Sequence, residues 1–204
     1  MIILYLGGIG SGKSLSAVRQ IQLNKQFCYT NFKLKNTKNY KRLEHTDILN
    51  FEVDEKKGTQ KPSSVNWNFW DKARKEHKSF SIYIDEIHNL IHARQSMSRR
   101  NILMSKWVSQ IRKITSDSMT NNLYLISQTI RKVDVDFREL AHLIITCDKV
   151  GIEGEYYIIN KYYEGLEDYE MRIKAGTSYF KAKDYYRYYN TNEMVEFGDS
   201  EVFV

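Results

Sequence analysis

Residues 2–14 read IILYLGGIGSGKS, and this stretch decides the fold. The apolar run Ile2–Leu6 ends at glycines, which predicts a short strand buried on both faces. Gly7–Ser14 then fits the pattern G-x-x-x-x-G-K-[ST], and the residues through Lys25 carry apolar side chains at helical spacing. A strand, a glycine-rich loop and a helix in this order form a phosphate-binding loop (P-loop), whose backbone N–H groups point at phosphate oxygens. The sequence therefore predicts a nucleotide-binding site.

The side chains of this P-loop predict how a nucleotide is held. Lys13 is expected to reach the β- and γ-phosphates, and the Ser14 hydroxyl is expected to ligate Mg²⁺. ATP and Mg²⁺ are therefore the expected ligands. The predicted nucleotide-binding residues are Gly8, Ile9, Gly10, Ser11, Gly12, Lys13, Ser14 and Leu15.

A second apolar run, Phe80–Ile84, leads directly into Asp85 and Glu86. A P-loop needs a carboxylate at the end of a neighbouring strand to hold the metal, and Asp85 is predicted in this role. Glu86 is predicted as the general base that polarises water for attack on the γ-phosphate. The alternative is that the pair caps a helix that begins at Ile87. The two carboxylates favour hydrolysis over phosphorylation of a small molecule, because a kinase must exclude water.

A third apolar run, Leu123–Ser127, ends at Gln128, whose amide is expected to contact the γ-phosphate and the attacking water. Strands buried on both faces that alternate with helices predict an α/β fold with a mainly parallel sheet flanked by helices. We expect residues 1–150 to form the ATPase core, with residues 33–66 as a loop-rich excursion that contributes little to it. Ten of the 15 tyrosines follow Val150, and residues 151–204 are expected to form an antiparallel β-appendage packed on the core. The alternatives for this aromatic stretch are stacking on nucleobases and filling a subunit interface.

Composition excludes several classes of protein. The 204 residues are 42% hydrophobic and 27% charged, as in a globular domain. Every apolar run is shorter than the roughly 18 residues that span a bilayer, so no integral membrane segment is expected. Cys28 and Cys147 are too few for a disulfide framework or a four-cysteine zinc site. A soluble intracellular protein is therefore expected.

The charge distribution indicates a polyanionic partner. The formal net charge is +6, and the stretch from Ile87 to Ser116 contains basic but no acidic residues. A solvated helix face usually mixes both signs, so a one-sided block predicts a surface that faces phosphates. Arg94, Arg99 and Arg100 are the candidate DNA-binding residues in this block.

Three segments together resemble the FtsK–HerA group of DNA-pumping P-loop ATPases, and in particular the genome-packaging ATPases of internal-membrane icosahedral viruses. They are IYIDEIHNLI (residues 82–91), the basic Ile111-Arg112-Lys113, and LYLISQT (residues 123–129). The resemblance implies a RecA-like core, a pentameric or hexameric homo-oligomeric ring, and translocation of double-stranded DNA at a viral capsid vertex. It also implies location in the host cytoplasm during virion assembly, with association at the virion vertex as a further expectation.

The same resemblance assigns roles to individual residues. Its Walker A motif ends at Gly12, Lys13 and Ser14, and its Walker B pair corresponds to Asp85 and Glu86. Its sensor corresponds to Gln128. The arginine that the family supplies to a neighbouring subunit matches Arg112. The rivals for that role are Arg99, Arg100 and Arg131.

Other functions stay open beside DNA packaging. An assembly or secretion ATPase of the zonula-occludens-toxin type has a similar P-loop core and drives protein or virion export. A small nucleotide kinase and a nucleotide-dependent assembly switch are further alternatives. Stimulation of ATP hydrolysis by double-stranded DNA would separate the packaging motor from the others.

Overall fold

Strands and helices alternate through most of the chain, as a computed structural model shows for residues 1–54, 59–91, 98–115, 121–152 and 154–190. The strands are β1 (Ile2–Leu6), β2 (Phe27–Thr30), β3 (Tyr40–Arg42), β4 (Leu49–Asp54), β5 (Thr59–Val65), β6 (Phe80–Ile84), β7 (Leu123–Ser127), β8 (Leu143–Ile152), β9 (Glu155–Tyr163) and β10 (Gly176–Lys181). The helices are α1 (Lys13–Asn24), α2 (His45–Ile48), α3 (Trp67–Glu76), α4 (Ile87–Leu90), α5 (Arg99–Ser109), α6 (Ile111–Thr115), α7 (Val135–Glu139) and α8 (Gly165–Met171). Short 3₁₀ turns occupy Ile130–Lys132, Ala182–Asp184 and Tyr186–Tyr188.

An eight-stranded sheet in the order β10-β9-β8-β1-β7-β6-β2-β3 forms the centre of the fold. The strands from β8 to β3 in this order pair in parallel, whereas β8, β9 and β10 pair antiparallel. The prediction of a mainly parallel α/β sheet with an antiparallel addition is therefore confirmed. β1 lies inside the sheet and pairs with β8 on one side and β7 on the other.

The core has a part on each face of this sheet. Every residue of β1, β6 and β7 is buried, as expected for strands covered on both faces. On one face Leu4 packs in a cluster with Trp70 and Trp107. On the other face Tyr5 packs with side chains of α1 such as Val18. Among the described residues, no helix is both long and apolar enough to cross a membrane.

Residues 33–66 contain more structure than the sequence predicts. They include β3, which extends the main sheet, and the antiparallel hairpin of β4 and β5. Apolar side chains from this region are buried in the core, namely Leu34, Leu43, Ile48, Leu49 and Val65. In the sequence these apolar residues occur singly or in pairs among polar residues. They therefore show neither the helical nor the strand periodicity that would predict a buried element.

The tyrosine-rich region continues the main sheet. β8 passes through the predicted boundary at residue 150, since its first half pairs with β1 and its whole length pairs with β9. After β10 the chain returns towards the other side of the sheet, where Tyr189 forms a β-bridge with Leu34 and packs edge-on against Phe32. The division into a core and an appendage stays a prediction.

Candidate nucleotide-binding site

The P-loop follows β1 and runs into α1 with a tightly packed backbone. Gly12 lies at the N-cap of α1 in the left-handed region, with a φ of 92°. A Cβ atom at Gly12 would overlap the Ile158 side chain, and one at Gly7 would lie 2.6 Å from the carbonyl oxygen of Cys147. Glycine is therefore required at Gly12 both by the backbone conformation and by the close approach of β9.

Lys13 and Ser14 are the first residues of α1, and both turn towards the loop and its neighbours. Lys13 is 6% exposed, and its Nζ donates a hydrogen bond to the carbonyl of Gly8 at 3.0 Å. The ammonium thus lies across the loop. The first turn of α1 contains no acidic side chain, so its N-terminal dipole stays available to an anion.

Asp85 follows β6 and meets Ser14 directly. The Ser14 hydroxyl donates to Asp85 Oδ2 at 2.5 Å, and the Glu86 N–H donates to Asp85 Oδ1 at 2.8 Å. Burial raises the pKa of Asp85 to about 6, and the nearby Glu86 carboxylate also raises it, whereas Ser14 and Lys13 act in the opposite direction. Serine and carboxylate oxygens at this spacing fit Mg²⁺, which is usually bound through one or two carboxylates together with substrate phosphates.

Glu86 adopts a left-handed backbone conformation, with φ 49° and ψ 47°, at the start of α4. Glu86 occupies the N-cap position of that helix, but its side chain makes no capping hydrogen bond. Instead, Glu86 Oε2 lies 3.2 Å from Nδ1 of His88. The Glu86 side chain is 29% exposed, which leaves part of the carboxylate accessible to water, although its Oε2 atom is buried.

Asn31 is a site residue that sequence analysis missed. It directly follows β2, is 3% exposed, and uses its side-chain amide on the backbone of Asp85. Its Nδ2 donates to the Asp85 carbonyl at 2.9 Å, and its Oδ1 accepts from the Asp85 N–H at 2.7 Å. The sequence feature that could have identified Asn31 is its position as a polar residue at the carboxyl end of β2, the strand that pairs with β6.

Gln128 lies between the P-loop and the acidic turn. β7 pairs with β1 so that Ser127 is opposite Leu6, and it also pairs with β6. Gln128 follows β7 and therefore lies at the same edge of the sheet as Gly7 and Asp85. Lys132 Nζ donates to Gln128 Oε1 at 2.9 Å, which fixes the amide carbonyl. The structure thus brings together the predicted residues of the P-loop, β6 and β7.

Most of the predicted arginines lie away from this cluster or outside the described residues, whereas Arg131 lies on the 3₁₀ turn that follows Gln128. Arg94 is not among the described residues, and neither is the side chain of Arg112. The backbone of Arg112 belongs to α6, whose last residue, Thr115, accepts a hydrogen bond from Asn121 just before β7. Since β7 begins there and the P-loop lies where parallel strands end, α6 lies at the opposite edge of the sheet.

Arg99 and Arg100 lie at the start of α5 beside the β4–β5 hairpin. Arg99 Nη2 donates to the carbonyl of Ser63 at 3.1 Å, and its side chain stays largely exposed. Arg100 lines a small cavity together with His45 and Met104. Both cations therefore border the hairpin, a contact that the charge pattern alone could not predict.

Comparisons with known proteins agree with this architecture. The family model described as zonular occludens toxin (Zot) matches residues 1–192. The N-terminal domain of zonular occludens toxin from Neisseria meningitidis is similar at 18% identity and a TM-score of 0.60, over 93% of this chain and 98% of that chain. No curated protein matches the chain.

A second solved structure is similar to the chain at a lower level. It is the genome packaging NTPase B204 from Sulfolobus turreted icosahedral virus 2 in complex with AMPPCP, with 11% identity and a TM-score of 0.50 over 88% of this chain and 96% of that chain. At such identities the likeness is one of fold. The resemblance to packaging ATPases is confirmed at that level, and the fold is that of a P-loop NTPase.

Proposed function

Because the chain belongs to the zonular occludens toxin (Zot) family, we propose that it is an ATP-hydrolysing motor that drives the assembly or export of a macromolecular cargo such as a virion. The observation that carries the ATPase part of this proposal is the contact between Ser14 Oγ and Asp85 Oδ2 beside the P-loop lysine. Family membership favours export over the other cargo-moving functions that the sequence leaves open.

Binding of the triphosphate is assigned to the P-loop. Lys13 exchanges its contact with the Gly8 carbonyl for the β- and γ-phosphates, while backbone N–H groups of residues 8–15 surround the phosphate oxygens. Ser14 and Asp85 would hold Mg²⁺, which would neutralise part of the triphosphate charge. The raised pKa of Asp85 fits a carboxylate whose charge a cation would balance.

Hydrolysis is assigned to Glu86 and Gln128. Glu86 accepts the proton of the attacking water as a general base, and the His88 ring lies beside it with Nδ1 3.2 Å from Oε2. Gln128 follows β7 and lies between the P-loop and the turn that carries Asp85 and Glu86. From this position it orients the attacking water and the γ-phosphate. Asn31 keeps the turn that carries Asp85 in place.

Measurement of ATP turnover, with and without double-stranded DNA, tests the proposal. We expect Mg²⁺-dependent turnover in the wild-type protein and loss of it in Lys13→Ala, because the cation at the β- and γ-phosphates is removed. Turnover that is insensitive to DNA would favour the export motor. Turnover no higher than that of folded Lys13→Ala would contradict the ATPase proposal.

A second candidate function is translocation of double-stranded DNA into a viral capsid. It is supported by the fold likeness to a genome packaging NTPase and by the acid-free stretch from Ile87 to Ser116. In this case the active form would be a pentameric or hexameric ring at the capsid vertex in the host cytoplasm. Strong stimulation of turnover by double-stranded DNA would favour this candidate over export.

A further inference from the structure

The β8–β9 hairpin projects past the P-loop on the side away from the carboxylates. Leu6, the last residue of β1, pairs with Thr146, whereas β8 continues to Ile152. The P-loop therefore lies beside the second half of β8 and its partner strand β9. In the sheet order β8-β1-β7-β6, Asp85 and Glu86 lie on the opposite side of β1.

One face of this hairpin contacts the P-loop and α1. Ile158 packs against Gly12, and Asn160 Oδ1 accepts a hydrogen bond from Ser16 Oγ at 2.9 Å. Because side chains alternate between the two faces of a strand, Tyr156 lies on the same face, one step nearer the hairpin tip. Lys149 pairs with Ile158 and so shares this face.

On this face of the hairpin, near its tip, the aromatic ring of Tyr156 and the ammonium group of Lys149 form a partly exposed surface. The Lys149 Nζ lies 3.6 Å from the centroid of the Tyr156 ring, which is a close cation–π contact. Tyr156 is paired with Gly151, which has no side chain to cover the ring from across the ladder. Tyr156 is half-buried and Lys149 is exposed, so a ligand can reach both.

We propose that this face of the hairpin holds the base and ribose of the nucleotide, with the base stacked on the face of the Tyr156 ring that the Lys149 ammonium otherwise covers. The inference rests on the proposed function, in which the γ-phosphate points towards Glu86 and Gln128. The nucleoside end of the same triphosphate must then leave the P-loop in the other direction, towards β8 and β9. Lys149 supplies a positive charge beside the base and the ribose.

This assignment predicts weak discrimination between bases. A tyrosine ring contacts the π face that every base has and does not read the hydrogen-bonding edge. We therefore expect the loss of the ring to weaken nucleotide binding by about fivefold to about 100-fold, the usual range for a stacked base. The difference in affinity between ATP and GTP should be smaller than this loss.

Calorimetric binding of AMPPNP and of inorganic tripolyphosphate, both with Mg²⁺, separates the base from the phosphates. The variants are Tyr156→Ala, Tyr156→Phe and the matched control Tyr157→Ala, whose ring lies on the opposite face near Tyr179. We expect Tyr156→Ala to lose affinity for AMPPNP and to keep that for tripolyphosphate. Tyr156→Phe and Tyr157→Ala should bind both ligands as the wild type does.

Three results would overturn the base subsite. They are unchanged AMPPNP binding by Tyr156→Ala, an equal loss for both ligands, and an equal loss of AMPPNP binding in Tyr157→Ala. Failure of the proposed function has a different signature, which is ATP turnover by the wild-type protein no higher than that of folded Lys13→Ala.

Discussion

Asn31 uses both ends of its amide on one residue, and the turn that carries Asp85 and Glu86 depends on this contact. In Asn31→Ala the N–H and C=O of Asp85 lose their partners in a buried site, and each loss costs about 1–3 kcal/mol. We expect a free energy of unfolding lower by about 2–4 kcal/mol, measured by urea titration, together with reduced turnover. The exposed Asn68→Ala is the control and should change neither quantity. Unaltered turnover in a folded Asn31→Ala protein would contradict the positioning role.

Glu86 provides the sharpest test of the chemistry. Glu86→Gln keeps the shape of the side chain but cannot accept a proton, so hydrolysis should fall by about 10²-fold or more. Binding of Mg²⁺ and ATP should be retained, because neither depends on this carboxylate. Single-turnover hydrolysis and nucleotide affinity are the measurements, and the exposed Glu139→Gln is the control. Weakened binding with intact single-turnover hydrolysis would point to a metal or structural role instead.

Cys28 and Cys147 are both free thiols and both buried. Burial raises the pKa of both thiols to about 12, so the reactive thiolate is scarce at neutral pH. We expect neither thiol to react with a disulfide reagent in the native protein at pH 8. Both should react after unfolding in guanidinium chloride. Rapid labelling of the native protein would show that the strands carrying them open readily.

The first turn of α5 carries Arg99 and Arg100, which contact the region of the β4–β5 hairpin. If it also faces DNA, replacing Arg99 and Arg100 with glutamine should weaken DNA binding. The slope of log K against log salt should then decrease by about 2, as for two lost phosphate contacts. Binding measured at several salt concentrations checks this, with Lys72→Gln and Lys75→Gln on α3 as the charge-matched control. An unchanged slope would mean that the pair serves only the contact with the hairpin.

Strands and loops that combine an apolar run with a fixed pattern of polar residues could be predicted from the sequence. Elements that lack such a local pattern could not. The P-loop and the run into Asp85 each combine a buried strand with a fixed pattern of polar residues, and both were found. β3 consists of only Tyr40, Lys41 and Arg42 at the edge of the sheet. It therefore lacks the run of apolar side chains that identifies a buried strand. The pairing of β3 with β2 cannot be deduced from the residues next to β3 in the sequence. The same holds for the burial of Leu43 in the core.

Asn31 escaped prediction for a different reason. It contacts a residue far away in the chain, and a lone asparagine carries no spacing pattern. The fold had to bring β2 next to β6 before the amide of Asn31 acquired its role. Knowledge of the strand order would therefore have been enough to identify Asn31 as a candidate.

At the scale of the whole molecule, the position of α6 makes shared chemistry between subunits testable. The backbone of Arg112 lies at the sheet edge opposite the P-loop, so any role of this arginine in hydrolysis would be expected at the site of a neighbouring subunit. We expect specific activity to rise with protein concentration. Mixtures of Arg112→Ala and Lys13→Ala should regain part of the wild-type turnover, because each variant keeps what the other lacks. Concentration-independent turnover by a monomer, with inactive mixtures, would contradict a shared site.

The central place of β1 has a consequence for biosynthesis. Its two neighbours, β7 and β8, begin at Leu123 and Leu143, more than a hundred residues later in the chain. An emerging polypeptide must therefore keep an apolar segment unpaired until most of the chain has left the ribosome. Such long-range pairing slows folding and exposes the nascent chain to aggregation. The strand that leads into the phosphate-binding loop is thus made before the other strands of its sheet and is among the last to be paired, so the loop acquires its shape only when translation of the sheet is nearly complete.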